Sequence, residues 1–450
     1  MKKLTVLFIS SISLFLFLSS CQDEFDVQAQ LDRQLDQALE GLAGSAGRNY
    51  FKLPGSDQVS AIPQDPRNLI TPEKIVLGKF LYHETGLSLA PMKSTSTGIY
   101  SCASCHQAAA GFQAGRPQGI GDGGSGFGLR GEQRTKSSDY LESEIDVQPI
   151  RSPSTLNVAY QKQMLWNGQF GATGRNIGTE DAWTAGTPIE TNFLGYEGVE
   201  TQAIAGLKVH RMIIDTIFLQ ENGYMPLFDQ AFPDLPRQER YTRITAGLAI
   251  AAYERTLLAN QSPWQQWLHG NPMAMSETEK RGALLFFGKA ACAPCHGGPA
   301  LNSNKFFAYG MNDLDDSPDP VFAVKADSPA HLGRGSFTGQ QSDMYKFKVP
   351  QLYNLKDSPF MGHGSTFSSV KSVVEYKNNG IPENARVPQE QLTHMFVPLK
   401  LSSDEVEAIT AFIENALYDP NLSRYEPDQL PSGFCFPNND SKSRMDLGCN

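Results

Sequence analysis

Two stretches of this 450-residue chain, Cys102-Ala103-Ser104-Cys105-His106 and Cys292-Ala293-Pro294-Cys295-His296, share one pattern. Two thiols three positions apart can each add to a vinyl group of one haem, and the following histidine can bind its iron. A single copy could also be half of a zinc site or a redox dithiol. A four-cysteine zinc site would leave both histidines unused, and exported redox dithiols rarely carry histidine there. The sequence therefore predicts two covalent haem c groups, with His106 and His296 as proximal ligands.

The amino terminus has the features of a lipoprotein signal peptide. Lys2 and Lys3 precede an apolar run that ends in Leu18-Ser19-Ser20-Cys21, which is similar to a bacterial lipobox. The run is short for a bilayer span. We expect residues 1–21 to be the signal peptide and Cys21 the lipidated residue; cleavage without lipid is the alternative. The mature protein would then lie in the cell envelope, facing the periplasm and attached to the membrane only by lipid.

Composition and length indicate a folded protein with two domains. A net charge of −10 argues against nucleic acid as a partner. The same charge would suit a redox partner that is basic. The chain exceeds one compact core, and the motifs stand 190 residues apart (292 minus 102), so we expect one haem per domain. We predict a mostly α fold with two cytochrome c-like haem domains and long irregular loops. The expected segments after the signal peptide are a tether and short helix (22–65), an N-terminal haem domain (66–265), a C-terminal haem domain (266–420) and a tail (421–450).

Cysteine usage agrees with an oxidising compartment. Of seven cysteines, Cys21 is assigned to lipid and four to haem, which leaves Cys435 and Cys449. A disulfide between these two would close a short loop in the tail, and two free thiols are the alternative.

Further stretches, in their order and spacing, resemble the bacterial di-haem cytochrome c peroxidase family over roughly residues 70–418. The resemblance implies that the N-terminal haem reacts with hydrogen peroxide and that the C-terminal haem accepts electrons from a soluble or membrane-attached cytochrome. It also implies that Trp166 transfers electrons between the haems. The matching stretches are Leu77-Gly78-Lys79-x-Leu81, Thr155-Leu156-Asn157, Trp166-Asn167-Gly168, Ala251-x-x-Glu254-Arg255-Thr256-Leu257, Glu279-Lys280-Arg281-Gly282 and Phe347-Lys348-Val349-Pro350.

The chain departs from this family around the first haem. Many relatives cap the iron with a histidine from the following loop, where this chain has Asp122 in a Gly-rich segment (119–131) that we expect to control access. We therefore expect a five-coordinate or water-bound first haem that needs no prior reduction. Gln202 matches the family's catalytic glutamine, but Met212 replaces the glutamate that follows it. The candidate catalytic residues are Gln202, Glu200, Glu197 and Asp122.

The second haem and the calcium site also differ. The usual position of the second axial ligand holds Lys377, so Met361, His363 and Met395 are the candidates. Arg151 replaces an asparagine that in relatives helps to bind calcium, which leaves calcium open but unsupported. Two other functions compete with peroxide reduction. They are a related di-haem oxidase that modifies an organic or protein substrate, and a non-enzymatic electron-transfer protein.

Overall fold

The computed structural model describes residues 27–449 and consists mainly of helices joined by long irregular segments. The predicted signal peptide, Cys21 included, lies outside the described residues. The helices are α1 (27–43), α2 (Pro72–His83), α3 (Gly198–Val209), α4 (Thr216–Glu221), α5 (Met225–Ala231), α6 (Arg237–Arg240), α7 (Arg243–Arg255), α8 (Pro263–Leu268), α9 (Glu277–Phe287), α10 (Gly335–Thr338), α11 (Val370–Asn379), α12 (Ser403–Ala411) and α13 (Ser441–Leu447). The mostly helical prediction is confirmed. Within the described range, no helix is long and apolar enough to cross a bilayer.

Strands are few in the described residues and form two short antiparallel ribbons. Strand β1 (Gly124–Ser125) pairs with β2 (Thr135–Lys136), and β3 (Phe306–Phe307) pairs with β4 (Phe347–Lys348). The first ribbon stands in the Gly-rich segment that follows the first haem motif. The second ribbon joins two distant parts of the C-terminal domain next to the second motif.

The two domains repeat one packing arrangement, which the sequence did not reveal. In the N-terminal domain, Gly78 of α2 meets α7 so closely that a Cβ there would lie 1.9 Å from the carbonyl oxygen of Ala249. In the C-terminal domain, Gly282 of α9 meets α12, where a Cβ would lie 1.9 Å from the carbonyl oxygen of Ala408. Each pair places the helix that precedes a haem motif against the last long helix of its domain. Only glycine permits this approach.

The ends of these helices follow the local sequence. The Thr71 hydroxyl accepts a hydrogen bond from the Lys74 backbone N–H at 3.3 Å, and Pro72 opens α2. Ser276 and Glu279 form a reciprocal capping box at the start of α9. Both starts follow from residues adjacent in the sequence, because capping depends on neighbouring residues only.

The amino-terminal segment is docked on the C-terminal domain. The Trp267 indole N–H of α8 donates to the Asp32 carboxylate of α1 at 2.7 Å, and Lys280 of α9 forms an ion pair with Asp32 at 2.7 Å. Trp264 of α8 stacks on Phe287 with ring centroids 5.5 Å apart. Helix α1 is therefore part of the folded body rather than of a tether, and α8 belongs to the C-terminal domain, three residues before the predicted boundary.

The tail packs on the N-terminal domain next to the first haem motif. Cys435 and Cys449 form the predicted disulfide, with Cα atoms 5.9 Å apart. The carbonyl oxygen of Pro437 accepts hydrogen bonds from the Ser101 and Ser104 hydroxyls, each at 3.0 Å. These serines flank and enter the first motif, so the last segment of the chain fixes the loop that holds the first pair of thiols.

Candidate haem sites

The second motif opens into a large apolar cavity of about 510 Å³. Cys292, Cys295 and His296 lie on its wall, and neither thiol is part of a disulfide. Nδ1 of His296 pairs with the Leu301 carbonyl oxygen at 3.1 Å, which leaves Nε2 for a metal. Burial lowers the pKa of His296 to about 4 and so favours the neutral ring that iron binding requires. The volume, the apolar lining and this donor set fit a haem.

The predicted second axial ligands of this site have different surroundings. Met361 and Met395 line the cavity. Nε2 of His363 instead contacts the Asp313 carboxylate at 3.0 Å, and the His363 ring stacks on Phe347 with centroids 3.6 Å apart. The geometry therefore engages His363 with Asp313 and Phe347 rather than in iron binding. The sequence could not have identified Asp313 as the partner of His363, because Asp313 lies in a loop 50 residues away along the chain.

The first motif forms a short turn inside the N-terminal domain. Cys102 and Cys105 are not paired with each other, and a Cβ on Gly119 would lie 2.7 Å from the Cys105 sulfur. The Tyr82 hydroxyl donates to the His106 carbonyl oxygen at 2.7 Å and fixes this turn to α2. Nδ1 of His106 is buried without a hydrogen-bond partner, although the carbonyls of Phe112 and Pro153 lie nearby. Unpaired thiols, a glycine against a sulfur and an unsatisfied imidazole fit a haem here as well.

Asp122 is not placed as an iron ligand or proton carrier. Its carboxylate accepts hydrogen bonds from the Met92 backbone N–H at 2.7 Å and from the Tyr140 hydroxyl at 2.7 Å, and it pairs with Arg211 at 2.6 Å. The side chain is fully buried. These contacts hold the Gly-rich segment in place, so we now assign Asp122 to structure rather than to catalysis. The segment that we expected to control access is fixed by the same contacts.

Glu197 and Glu200 belong to a buried ion-pair cluster. Both oxygens of Glu200 accept from the Arg255 guanidinium, at 2.8 and 2.7 Å, and Glu197 pairs with the same guanidinium at 3.2 Å. Glu200 also points away from Gln202, because two positions on a helix correspond to a rotation of about 200°. The two glutamates therefore attach α3 to α7. Met212 is buried in the core and offers no acid in the place of the missing glutamate.

His210, at the end of α3, is a candidate acid–base residue that the sequence prediction missed. Its Nδ1 pairs with the buried Asp146 carboxylate at 2.7 Å. Burial lowers the pKa of His210, but Asp146 offsets this effect and the net shift is upward. Burial lowers the pKa of His106 to about 4, and the nearby charge of His210 adds to that shift. The pair therefore lies close to the first haem motif.

His210 shares one face of α3 with Gln202. A Cβ on Gly206, halfway between them, would lie 3.5 Å from Nε2 of Gln202 and 3.9 Å from Cδ2 of His210. The glycine leaves the space between the two side chains open. His210 keeps 37% of its side-chain surface exposed, so its ring is accessible to a small molecule. The signal that would have revealed it is the spacing of eight residues, which brings two helical positions to nearly the same side.

Trp166 connects the two domains. Its indole N–H donates to the Arg151 carbonyl oxygen at 2.8 Å, two residues before Pro153, which lies beside His106. Trp166 also lines the cavity of the second motif, and its ring stands edge to face with His363 at 6.3 Å. Trp166 thus contacts the surroundings of both motifs, and electron transfer through it stays a prediction.

Arg151 stands where relatives have an asparagine that helps to bind calcium, and its guanidinium is buried. Arg151 donates to the Gln113 side-chain oxygen at 2.8 Å, to the Arg116 carbonyl at 3.1 Å and to the Ser358 hydroxyl at 2.8 Å. Burial lowers its pKa to about 9. An arginine cation at this junction disfavours a second cation, so calcium remains unsupported.

A second cluster of potential metal ligands also lies beside an arginine. Carboxylates of Asp313 and Asp315 and the ring of His331 lie within metal-binding distance of one another. Arg386 pairs with Asp313 at 3.2 Å and with Asp315 at 2.7 Å. The guanidinium already holds both carboxylates and offsets part of their charge, so we assign no metal to this cluster.

Comparisons with known proteins agree with this geometry. Residues 72–273 match the protein family described as di-haem cytochrome c peroxidase. The chain is 27% identical over 389 residues to methylamine utilization protein MauG of Methylorubrum extorquens, covering 86% of this chain and 88% of that protein. It is 27% identical over 413 residues to cytochrome-c peroxidase IdrP1 of Denitromonas iodatirespirans, covering 87% and 94%. Among solved structures, a MauG-like protein associated with microbial copper homeostasis matches with a TM-score of 0.55 and 22% identity, covering 84% of this chain and 98% of that chain.

Proposed function

We propose, for a chain that belongs to the di-haem cytochrome c peroxidase family, that hydrogen peroxide is reduced to water at the haem of His106. The electrons would come from a small redox partner such as a cytochrome and enter at the haem of His296. Both haems would be attached covalently, through Cys102 and Cys105 and through Cys292 and Cys295. One peroxide, two electrons and two protons give two water molecules.

The observation that carries this proposal is the His210–Asp146 pair on the face of α3 that also bears Gln202. Haem iron held by His106 supplies a binding position for peroxide and a path for electrons. Asp146 holds Nδ1 of His210, so Nε2 can accept a proton from the near oxygen of peroxide and return it to the departing oxygen. The amide of Gln202 orients the peroxide by donating a hydrogen bond. These residues replace the glutamate that Met212 displaces.

The proposal is tested by mixing the purified di-haem protein with hydrogen peroxide and a reduced cytochrome c. We expect sustained oxidation of two cytochromes for each peroxide consumed. A long-lived oxidised protein without cytochrome turnover would favour a related oxidase that modifies an organic or protein substrate. Absence of any reaction with peroxide would favour a non-enzymatic electron-transfer protein.

Replacing Trp166 with phenylalanine should separate the two half-reactions. The variant keeps an aromatic ring but loses the hydrogen bond to the Arg151 carbonyl, which is the direct link towards the first motif. We expect cytochrome oxidation after peroxide addition to slow by about tenfold or more, corresponding to roughly 1.4 kcal/mol in the activation barrier. Stopped-flow absorbance measures this rate.

The matched control is Trp183→Phe. Trp183 is also buried, but it packs against Phe193 and its N–H donates to the Thr179 hydroxyl. This variant should retain the rate of the unmodified protein. Equal rates in the Trp166 variant and the unmodified protein would contradict the electron-transfer role of Trp166.

We also propose that the protein is attached to the membrane through lipid on Cys21 and faces the periplasm. The lipobox-like sequence supports lipidation of Cys21. The two predicted covalent haems support export, because covalent haem attachment takes place outside the cytoplasm. Metabolic labelling with a radioactive fatty acid should mark the protein and should not mark the Cys21→Ala variant. An unlabelled wild-type protein would show cleavage without a lipid anchor.

A further inference from the structure

We propose that the amine of Lys377 is the second axial ligand of the iron in the haem held by His296. This inference rests on the proposed haem at Cys292 and Cys295, but it does not depend on the reduction of peroxide. It assigns an amine ligand, whereas the sequence prediction named the thioethers of two methionines and the imidazole of a histidine.

The first observation is the direction of Lys377. Four residues of α11 at helical spacing line the cavity of the second motif, and Lys377 is the last of them; the others are Val370, Val373 and Val374. The two thiols and His296 line the same cavity. Positions three and four apart share one helix face, so the lysine belongs to the cavity-facing stripe rather than to the solvent-facing one.

The second observation is that the amine has no polar partner. Within residues 27–449 no hydrogen bond or ion pair is formed by Nζ of Lys377, which lies 2.7 Å above the centroid of the Tyr309 ring. The faces of aromatic rings attract an ammonium ion, but without a counter-charge they offset only part of the cost of burying that charge in an apolar cavity. Burial lowers the pKa of Lys377 well below its ordinary value, which supports a neutral amine with a free lone pair. An iron atom in the cavity would satisfy that lone pair.

The thiols and the amine are close enough to interact electrostatically. Burial raises the pKa of Cys292 to about 12, and Lys377 opposes that shift. Lys377 also contributes to the lowered pKa of His296 after the larger effect of burial. The amine therefore lies near the residues that would hold the haem.

Three other side chains near this cavity that could offer nitrogen or oxygen face polar partners. The His331 ring lies 3.5 Å from the Asp315 carboxylate and 4.0 Å from that of Asp313. Nε2 of His363 contacts Asp313, and the Tyr376 hydroxyl donates to the Tyr309 carbonyl at 2.6 Å. The bond from Tyr376 also fixes α11 against the segment that carries Tyr309, directly beside Lys377. The remaining competitors are the thioethers of Met164, Met311, Met361 and Met395, which also line the cavity. The choice is thus between an amine and a thioether.

The two alternatives have different electronic consequences. Binding of the neutral Lys377 amine to ferric iron would form a nitrogen–iron bond, with no proton released and no electron transferred. A thioether raises the reduction potential of a haem. An amine lacks that effect, so the second haem of this chain should have a lower potential than a haem with histidine and methionine ligands.

The test uses the purified protein with both haems attached, confirmed by a haem count of two per chain. Electron paramagnetic resonance and near-infrared magnetic circular dichroism of the oxidised protein should show one low-spin haem with histidine and amine ligands. In Lys377→Met we expect the sulfur-to-iron charge-transfer band of a thioether ligand and a higher reduction potential. In Lys377→Arg, which cannot offer a lone pair, the low-spin amine signal should be lost.

Lys371→Met is the matched control, because Lys371 lies on the same helix but pairs with Glu407 outside the cavity. It should keep the spectrum of the unmodified protein. A thioether band in the unmodified protein would overturn the inference. An unchanged spectrum in both Lys377 variants would also overturn it. The spectrum of the unmodified protein decides the question even if a variant fails to take up haem. Loss of peroxide turnover with an intact amine signal would contradict the proposed function and leave the assignment of Lys377 standing.

Discussion

Replacing His210 with alanine should lower kcat/KM for hydrogen peroxide by about 10²- to 10⁴-fold, the range that a positioned acid–base group contributes. His210 is the proton-accepting side chain on the face of α3 that bears Gln202, and the neighbouring carboxylates of Glu197 and Glu200 are bound to Arg255. Initial rates at low peroxide concentration, with reduced cytochrome c in excess, measure the effect.

Asp146→Asn provides the pH test of this role. The Asp146 carboxylate raises the pKa of His210 against the opposing effect of burial. The ring accepts a proton only when neutral, so activity should fall as the pH drops below that pKa. Without the carboxylate the pKa decreases, and the acidic limb of the pH profile should move to lower pH.

The control for both variants is His269→Ala, because His269 is exposed at the end of α8. Its activity and pH profile should equal those of the unmodified protein. A His210 variant with full peroxide activity would remove the pair from the mechanism and leave Gln202 without a proton-accepting partner.

Replacing Arg255 with leucine should destabilise the protein by about 3–5 kcal/mol, the cost of leaving a buried charge without its partner. Glu200 is fully buried, and its remaining contact is a weak one of 3.4 Å from the Asn68 amide. The midpoint of urea unfolding, followed by helical circular dichroism, should decrease accordingly. A midpoint is the suitable quantity because a chain with two haem domains need not unfold in one step.

Arg281→Ala is the comparison, since Arg281 pairs with Glu277 on the exposed surface of α9. A pair of this kind contributes about 0.3–0.5 kcal/mol. Adding Glu200→Leu to the Arg255 variant should recover part of the lost stability, because the uncompensated carboxylate is then removed. A midpoint in the Arg255 variant equal to that of the Arg281 variant would show that the cluster does not hold α3 on α7.

The errors in the predicted site have one origin. Asp122 is a candidate from the sequence because it stands where relatives have a capping histidine, and Glu197 and Glu200 are candidates because they neighbour Gln202. Their partners are Arg211 and Arg255, which come from the end of α3 and from α7. A sequence gives the charge of a side chain but not the distant residue that neutralises it. The same limit applies to His363, whose carboxylate partner comes from another loop.

The sequence by itself determined the two haem motifs, the capping at Thr71 and Ser276, the candidate pairing of Cys435 with Cys449 and the resemblance to the di-haem cytochrome c peroxidase family. Each depends on spacing along the chain, on neighbouring residues or on elimination among seven cysteines. Only the tertiary structure decided which polar groups face the haem sites. It brought Asp146 to His210 across 64 residues and placed Lys377 in the cavity of His296. Such contacts form when helices distant in sequence pack together, and local spacing carries no information about them.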